Sequence, residues 1–594
     1  GHGRGTEGSF TTPDNLRMAI CRICKIRMKY HSSTSNLKAH LTTLNPDKLG
    51  DLSEEPPLKQ ARITSFLLLS SSRGLPAVRQ KAITDKLTWF ICKDMRPINI
   101  TQGSGFKDFI HELEPRYTVR SRATITDRVV KLYDTTSDNI RQMISGKKIA
   151  LTTDGWTSLA TEAYVTVTAH FIDNDWELKD VILKMAEVQK SHTAENVAEC
   201  ISNTLGEYNV SCESVLSITT DNTANYINAV ERHLQAVNVP CMAHTINLAV
   251  RKGLAVRAIE TPISRVKATA LHFNKSTTDS YLLESKQKLL GLKPAKLMSD
   301  CATRWNSTYD MVCRAAEQQA PVAAVIMEKK LGHLELTTSE WTLMEQVSDK
   351  NDVHTVLLRP FKVATEALST DQFPTASAVL PLKYVLLSHL QPSTGDPAAL
   401  NEMKTKIKTD LYNRYSPDKD AFKLLNTSSY LDPRFHRLIH LERDQWQEVW
   451  EKIKGEISQL PVFAERAAMA TGITHQEKTA LSAMGDLFGD VYRKGGDASG
   501  GPLDVGAVLE QEMLIYESET PLPTDSNPLS WWKTSQSKYP HLAQLARHYL
   551  SIPGTSVRAE RVFSTAGIIV NKKRSALDSE NVDRLVFLAN NLRD

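Results

Sequence analysis

Apolar and polar positions change their rhythm along the chain. From 76 to 147 the spacing is helical: Ile83, Leu87 and Ile91 fall at i, i+4 and i+8 on one face. At 148 it becomes strand-like. Ile149 to Thr153 runs apolar into Asp154, Tyr164 to Ile172 is rich in Val and Thr, and Asp180 to Val188 follows a turn around Asn174. A helix is predicted from about Thr193 to Tyr208, with His192 at its start. A buried-type strand then runs from Val215 to Thr220 and ends at Asp221, and a helix follows. Val237 to Cys241 reads as a fifth strand. From about 255 to 530 the pattern is helical, broken at Gln391 to Pro397, at the Gly-rich Arg493 to Pro502 and at Glu517 to Pro528. Residues 531–594 close the chain with helices.

The order three strands, helix, strand, helix, strand is the layout of an RNase H-like core. The expected fold class is therefore α/β plus all-α, with that core interrupted by a large helical insertion. The segments drawn on this basis are 1–50 (finger-like module), 51–75 (linker), 76–147 (helical), 148–254 (first part of the core), 255–530 (insertion) and 531–594 (last part of the core). A chain of 594 residues is too long for one core. No run of about 18 apolar residues is present, so no membrane partner is expected, and no signal peptide is read at the start.

Composition adds little until its placement is considered. With 72 basic and 68 acidic residues the net charge is only +4, but the basic residues cluster. Arg17, Arg22, Lys25, Arg27, Lys29 and Lys38 lie in a stretch without an acid. Arg116, Arg120, Arg122 and Arg128 form a second group, and Arg547, Arg558, Arg561, Lys572, Lys573 and Arg574 a third. Such clusters suit phosphate contacts or, equally, a solvated face. Eight cysteines are too few for a disulfide scaffold and fit a reducing compartment, cytosol or nucleus.

Two constellations carry candidate chemistry. Cys21 and Cys24 sit at metal-ligand spacing, followed by a polar helix-like stretch, Ser35 to Leu44, that carries His40. Two thiolates and an imidazole suit tetrahedral Zn²⁺, and so small a unit needs metal to fold. Asp154 and Asp221 end two strands that are neighbours in an RNase H-like sheet, so their oxygens can share Mg²⁺ or Mn²⁺. The plainer reading of each Asp is a turn or helix cap. Two aspartates do not suffice for two-metal phosphoryl transfer, and spacing does not choose a third carboxylate.

The remaining assignments rest on resemblance. The segment Ser35 to Leu41 (SNLKAHL) with Cys21 and Cys24 resembles a BED-type zinc finger. The chain departs from it where a second His or Cys is expected, having Asn45 before Pro46; His31 is the nearest substitute, and a decayed finger without zinc is the alternative. LTTDGWTS around Asp154, ITTDNTANY around Asp221, CMAHTINLAV from Cys241, CATRWNSTYDM from Cys301 and the long block Ser551 to Leu588 together resemble the hAT transposases and their BED-finger relatives. Asp94 to Tyr117 is similar to the helical region behind the finger in that family, which implies DNA gripping there.

The resemblance implies that Glu560, in SVRAERVFS, completes a DDE triad with Asp154 and Asp221; otherwise it is a surface residue paired with Arg558 or Arg561. It implies that Cys241 and His244 form the family's DNA-contacting C-x-x-H motif, with His244 near the scissile phosphate, and a zinc pair is the competing reading. It implies that Arg304 and Trp305 serve DNA, the Trp stacking on an unpaired base, with a core aromatic as its alternative. The implied activity is cut-and-paste transposition: hydrolysis at the element's ends, a hairpin on the flanking DNA, then strand transfer. The implied partners are double-stranded DNA and a second copy of the chain, as a homodimer or higher homo-oligomer, in the nucleus. The rival expectation is a domesticated DNA-binding regulator without catalysis.

Overall fold

A computed structural model describes residues 10–11, 18–21, 24–29, 39–40, 42–43, 74–158, 161–301, 303–348, 357–370, 373–459, 505–570 and 578–592. They fall into two compact units, one of residues 1–85 with 101–120 and one of 86–100 with 121–594. The helical stretch 76–147 thus contributes to both, while the sheet, the insertion and the C-terminal helices share the second. The fold is mixed α/β and mostly helical, with a mixed sheet.

In the first unit, β1 (Phe10–Thr11), β2 (Met18–Cys21) and β3 (Arg27–Lys29) form an antiparallel sheet in that order. The β2–β3 turn closes through Lys25 N–H to Cys21 O at 2.9 Å and Cys21 N–H to Ile26 O at 3.0 Å, with Lys25 in the left-handed region. Elsewhere in this unit Tyr117 is buried and its hydroxyl meets that of Thr84 at 2.9 Å.

The second unit is built on a five-stranded sheet. Its strands are β4 (Ile149–Thr157), β5 (Ala163–Ile172), β6 (Leu178–Glu187), β7 (Val215–Thr220) and β8 (Asn238–Pro240), in the order β6-β5-β4-β7-β8. β4, β5 and β6 are antiparallel to their neighbours, whereas β7 lies parallel to β4 and β8 parallel to β7. Nine of the ten positions of β5 are buried, which is why its run of Val, Thr and Phe is apolar on both faces. One sequence expectation is corrected: β4 does not stop at Asp154. It pairs on through Thr157 opposite Ala163, so Asp154 lies inside the strand, opposite Thr166.

The free edge of β6 is closed by side chains rather than by another strand. From helix Ser579–Asn591, Asn591 accepts from Ile182 N at 3.0 Å and donates to Ile182 O at 2.8 Å. Asp583 accepts from Met185 N at 2.8 Å. Satisfying these backbone groups blunts an edge that would otherwise template further pairing. Burial pushes the Asp583 carboxyl up to about 6.

Between β8 and the C-terminal helices the chain runs through helices from Met242–Leu254 to Val505–Ser518. Their apolar faces form one large core that includes Phe361 and Leu425 and is shared by Trp532 of the following helix Pro528–Ser535, all three fully buried. Among the described residues no helix is long and apolar enough to cross a membrane.

Candidate active site

Asp154, inside β4, and Asp221, just past the end of β7, come side by side because these strands are parallel neighbours, with Thr152 opposite Thr219. Asp221 follows the last residue of β7. Its Oδ1 accepts from Thr223 N at 3.2 Å and Thr223 Oγ1 at 2.7 Å, a turn that launches the short helix Ala224–Asn228. The turn role and a ligand role coexist there, because one carboxylate has about four lone-pair sites. Asp154 accepts from Gly155 N at 2.8 Å. Burial, then the charge of Asp221, and less strongly that of Glu560, raise its carboxyl to about 7, against the lowering effect of the Gly155 N–H.

Glu560 stands in the first turn of helix Val557–Ile569. The helix reaches the sheet through Phe563, whose ring stacks on Trp156 of β4 with centroids 5.8 Å apart. Glu560 itself pairs with Arg304, Nη2 to Oε2 at 3.4 Å. Neither Arg558 nor Arg561 is its partner: Arg558 pairs with Asp180 at 2.5 Å, and Arg561 donates to Ser369 O. Asp154 feels the charges of Asp221 and Glu560, but the three carboxylates are not gathered into a ligand cluster. Among the described residues, only Cys21, Cys24 and His40 bring three such ligand atoms within 4.8 Å of one another.

The loop before Glu560 is pinned on several sides. Thr219 Oγ1 donates to Pro553 O at 2.7 Å across 334 residues of sequence. Met242 N donates to Gly554 O at 3.0 Å, Gly554 N to Thr375 Oγ1 at 2.9 Å and Ser556 N to Cys241 Sγ at 3.3 Å. A Cβ on Gly554 would lie 2.7 Å from Val379 Cγ2 and 2.8 Å from the carbonyl oxygen of Thr375. Backbone cannot step aside as a flexible side chain can. Gly554→Ala should therefore cost about 1–3 kcal/mol in urea unfolding. An unchanged midpoint would mean that the loop yields without strain.

The other sequence-read residues are placed unevenly. Cys241 is fully buried, its thiol pushed up by burial, and it anchors the Glu560 loop rather than facing solvent. His244 is half-buried in the first turn of helix Met242–Leu254. The zinc-pair alternative for these two gains no further ligand among the described residues. Trp305 is 3% exposed and packs edge-on to Tyr309, the placement of a core aromatic; stacking on a base would require it to swing out. Its backbone N–H is held by Asn247 Oδ1 at 3.1 Å, which sets Arg304 facing Glu560. Arg116 is paired with Glu114 at 2.9 Å, Arg120 is half-buried and Arg122 is exposed. Arg547 lies over the Trp176 ring and bonds Asn174 and Gln536. Lys572, Lys573 and Arg574 lie outside the described residues, as does His31.

The sequence reading missed Tyr226, whose phenol lies against the backbone at Gly155, the residue after Asp154. The available signal was its position on the first helical turn after Asp221. His192 does not start the helix, since Thr193 caps it, accepting from Asn196 N at 3.3 Å; the His192 ring also lies against Gly155.

In the finger, Cys24 Sγ meets His40 Nε2 at 3.1 Å, Cys21 and His40 are buried, and the β2–β3 turn brings the two thiols together. This donor set fits Zn²⁺.

With this geometry in hand, comparisons with known proteins are informative. The BED zinc finger family model matches residues 10–44. The ZBED1 RNase-like domain matches 152–244, its helical domain 239–350, and the hAT family C-terminal dimerisation region 510–592. A Talaromyces stipitatus protein named as a transcriptional regulator, tpeD, is 23% identical over 85% of this chain and 61% of its own length. Zinc finger BED domain-containing protein RICESLEEPER 3 of Oryza sativa subsp. japonica is 24% identical over 96% of this chain and 81% of its own. A Zea mays protein named for the AC transposase is 24% identical over 95% of this chain and 71% of its own. The chain thus spans under two thirds of the first of these relatives. The chain is thus similar to transposase-like proteins with a BED zinc finger, and its C-terminal part is similar to the hAT dimerisation region.

Proposed function

We propose that the chain is a DNA transposase that cuts at the ends of its element and joins them to target DNA from an RNase H-like core. The observation that carries this is the electrostatic grouping of Asp154, Asp221 and Glu560 by strands and a helix far apart in sequence. Three hard-oxygen donors suit Mg²⁺ or Mn²⁺. When bound, such ions activate a water and stabilise the leaving oxygen. Asp154 inside β4 and Asp221 at the end of β7 would hold the site on the rigid sheet, and Glu560 would join after leaving Arg304. Water oxygen attacks phosphorus and the P–O3′ bond breaks, leaving a 3′-hydroxyl and a 5′-phosphate. The flanking 3′-hydroxyl then attacks the opposite strand to form a hairpin, and the element's 3′-hydroxyl later attacks target DNA. Arg304, with His244, Arg116, Arg120 and Arg122, would contact DNA phosphates, the finger would hold Zn²⁺ and read DNA, and 510–592 would pair two copies in the nucleus.

A second reading is a domesticated DNA-binding regulator. It is favoured by the Arg304–Glu560 pair, which keeps the carboxylates apart, and by the relative named as a transcriptional regulator. Strand cleavage of end-labelled duplexes carrying the element's ends separates the two. In Mg²⁺ or Mn²⁺, hairpin and cut products should appear with the wild type and fall at least about 1,000-fold in Glu560→Gln, with binding retained. Binding without products from either protein would establish the regulator reading.

A further inference from the structure

Arg558 stands two residues before Glu560 in the first turn of the same helix, Val557–Ile569. Its guanidinium turns to the sheet, where Nη2 lies 2.5 Å from Oδ2 of Asp180 on β6, with 23% and 22% of the two side chains exposed. Asp180 is the cross-strand partner of His170 on β5, so the two side chains share a face. His170 Nε2 meets Thr152 Oγ1 of β4 at 3.0 Å. Thr152 lies on the same face as Asp154, two residues further along that strand. A line of neighbouring side chains thus crosses three strands, from the strand of Asp154 to the helix of Glu560. Burial pushes His170 down to about 4, so it is neutral near pH 7. Lys179 is taken up by Asp173 and Glu177. Arg558 is therefore the cation that balances Asp180.

Three residues after Glu560, Phe563 stacks on Trp156 of β4. Glu560 lies between these two contacts with the sheet. The pinned loop before it fixes where the helix begins, but a helix held only at its start can still turn about its axis. An aromatic stack tolerates sliding, whereas a guanidinium–carboxylate pair is directional. We infer that the Asp180–Arg558 ion pair is the positioning element that aims the Glu560 carboxylate at Asp154 and Asp221. This rests on reading the site as a phosphoryl-transfer centre. The pair acts through the helix turn and touches neither DNA nor metal.

The test compares wild type, Arg558→Gln, Asp180→Asn and the double variant on duplexes carrying the element's ends, well below the thermal midpoint of each protein. Each single variant should slow cleavage at saturating DNA by roughly 10- to 100-fold, as a misplaced reacting group does. Each should also raise the Mg²⁺ concentration that gives half the maximal rate, with duplex binding in Ca²⁺ unchanged. The double variant should be no slower than the slower single one, because all three remove one contact. Arg558→Lys, which keeps the charge, should recover most of the rate. If Asp180→Asn does not fold, Arg558→Gln against Arg558→Lys carries the comparison. Losses that multiply in the double variant overturn the inference. So does weaker duplex binding by Arg558→Gln at an unaltered Mg²⁺ requirement, which would make Arg558 a DNA contact. A lowered thermal midpoint with a full rate per folded molecule would make the pair purely structural and also overturns it. If the wild type cleaves nothing, the transposase reading fails, and the inference is judged by hydrogen exchange of the backbone amides of 557–563. Exchange there should quicken in Arg558→Gln and Asp180→Asn while that of β7 stays as in wild type. Equal exchange at 557–563 in all three proteins overturns it.

Discussion

Asp154→Asn should abolish strand cleavage and at the same time yield a more stable metal-free protein at alkaline pH. The reason lies in the cost of the charge. A free Asp ionises near 3.8, but in the fold this carboxyl is raised to about 7, chiefly by burial and then by Asp221. A raised pKa means that the fold prefers the neutral acid. The corresponding stability is fully present below about pH 4 and is lost as pH climbs through about 7. With some discount for its partial exposure, the ionised group costs about 2–3 kcal/mol at pH 8. Asn removes the charge and keeps an oxygen for the Gly155 N–H. Calorimetry should therefore find the variant's midpoint above that of the wild type at pH 8, with the gap narrowing at pH 5 and closing only below about pH 4. Mg²⁺ should raise the wild type and leave the variant in place, since only the wild type gains by binding it. A gap that ignores pH would show that the carboxyl is not strained by its surroundings. Function and stability oppose each other at this position, as they commonly do where like charges are held for a ligand.

What could be read in advance follows from how local each feature is. β5 and β7 were legible because Val, Ile and Thr runs bounded by turns leave few alternatives. The end of β4 was misjudged because Asp154, before a Gly, reads as a turn residue. The pairing of β4 with a long β5 carries the strand past it, a partner effect that the local sequence does not contain. Asp221 was visible as a turn residue, and it makes that turn. Glu560 was different: only the resemblance of its block pointed to it. Its position depends on hydrogen bonds to Pro553 O, Gly554 N and O, and Ser556 N, backbone groups with no sequence signature. The partners of the arginines near the C-terminus were illegible for a related reason. Arg558 and Arg547 find their partners, Asp180 and Asn174, hundreds of residues away, so local charge could not reveal that they were already engaged. Tyr226 was passed over because a lone aromatic in a polar turn reads as core, and only the close approach of Gly155 singles it out.

The delivery of Glu560 to the sheet depends on the insertion and the C-terminal helices folding together, and Trp532 is where that dependence should be most measurable. Trp532 is fully buried. Its ring stacks on Trp176 at 5.8 Å and on Tyr516 at 5.6 Å, and meets Trp531 edge-on at 5.0 Å. Its Nε1 donates to Leu431 O at 2.9 Å. Trp176 belongs to the turn between β5 and β6, and its Nε1 donates to Gln536 Oε1 at 3.0 Å. One indole thus ties the sheet's turn, the insertion and the C-terminal segment. Trp532→Ala should cost about 3–5 kcal/mol, from lost burial and the cavity left behind. It also leaves Leu431 O without its donor, whereas Trp532→Phe should cost about half as much by keeping one ring in place. Urea unfolding gives the stabilities, and cleavage well below the midpoint gives the activity per folded molecule. Because Trp532 touches none of the three carboxylates, that activity should stay within about threefold of wild type, less than 1 kcal/mol in barrier. A stable Trp532→Ala protein that cleaves far more slowly would instead mean that the aromatic cluster holds the Glu560 helix in register. The loop pinned by Thr219, Thr375 and Cys241 would then be insufficient to place that carboxylate by itself.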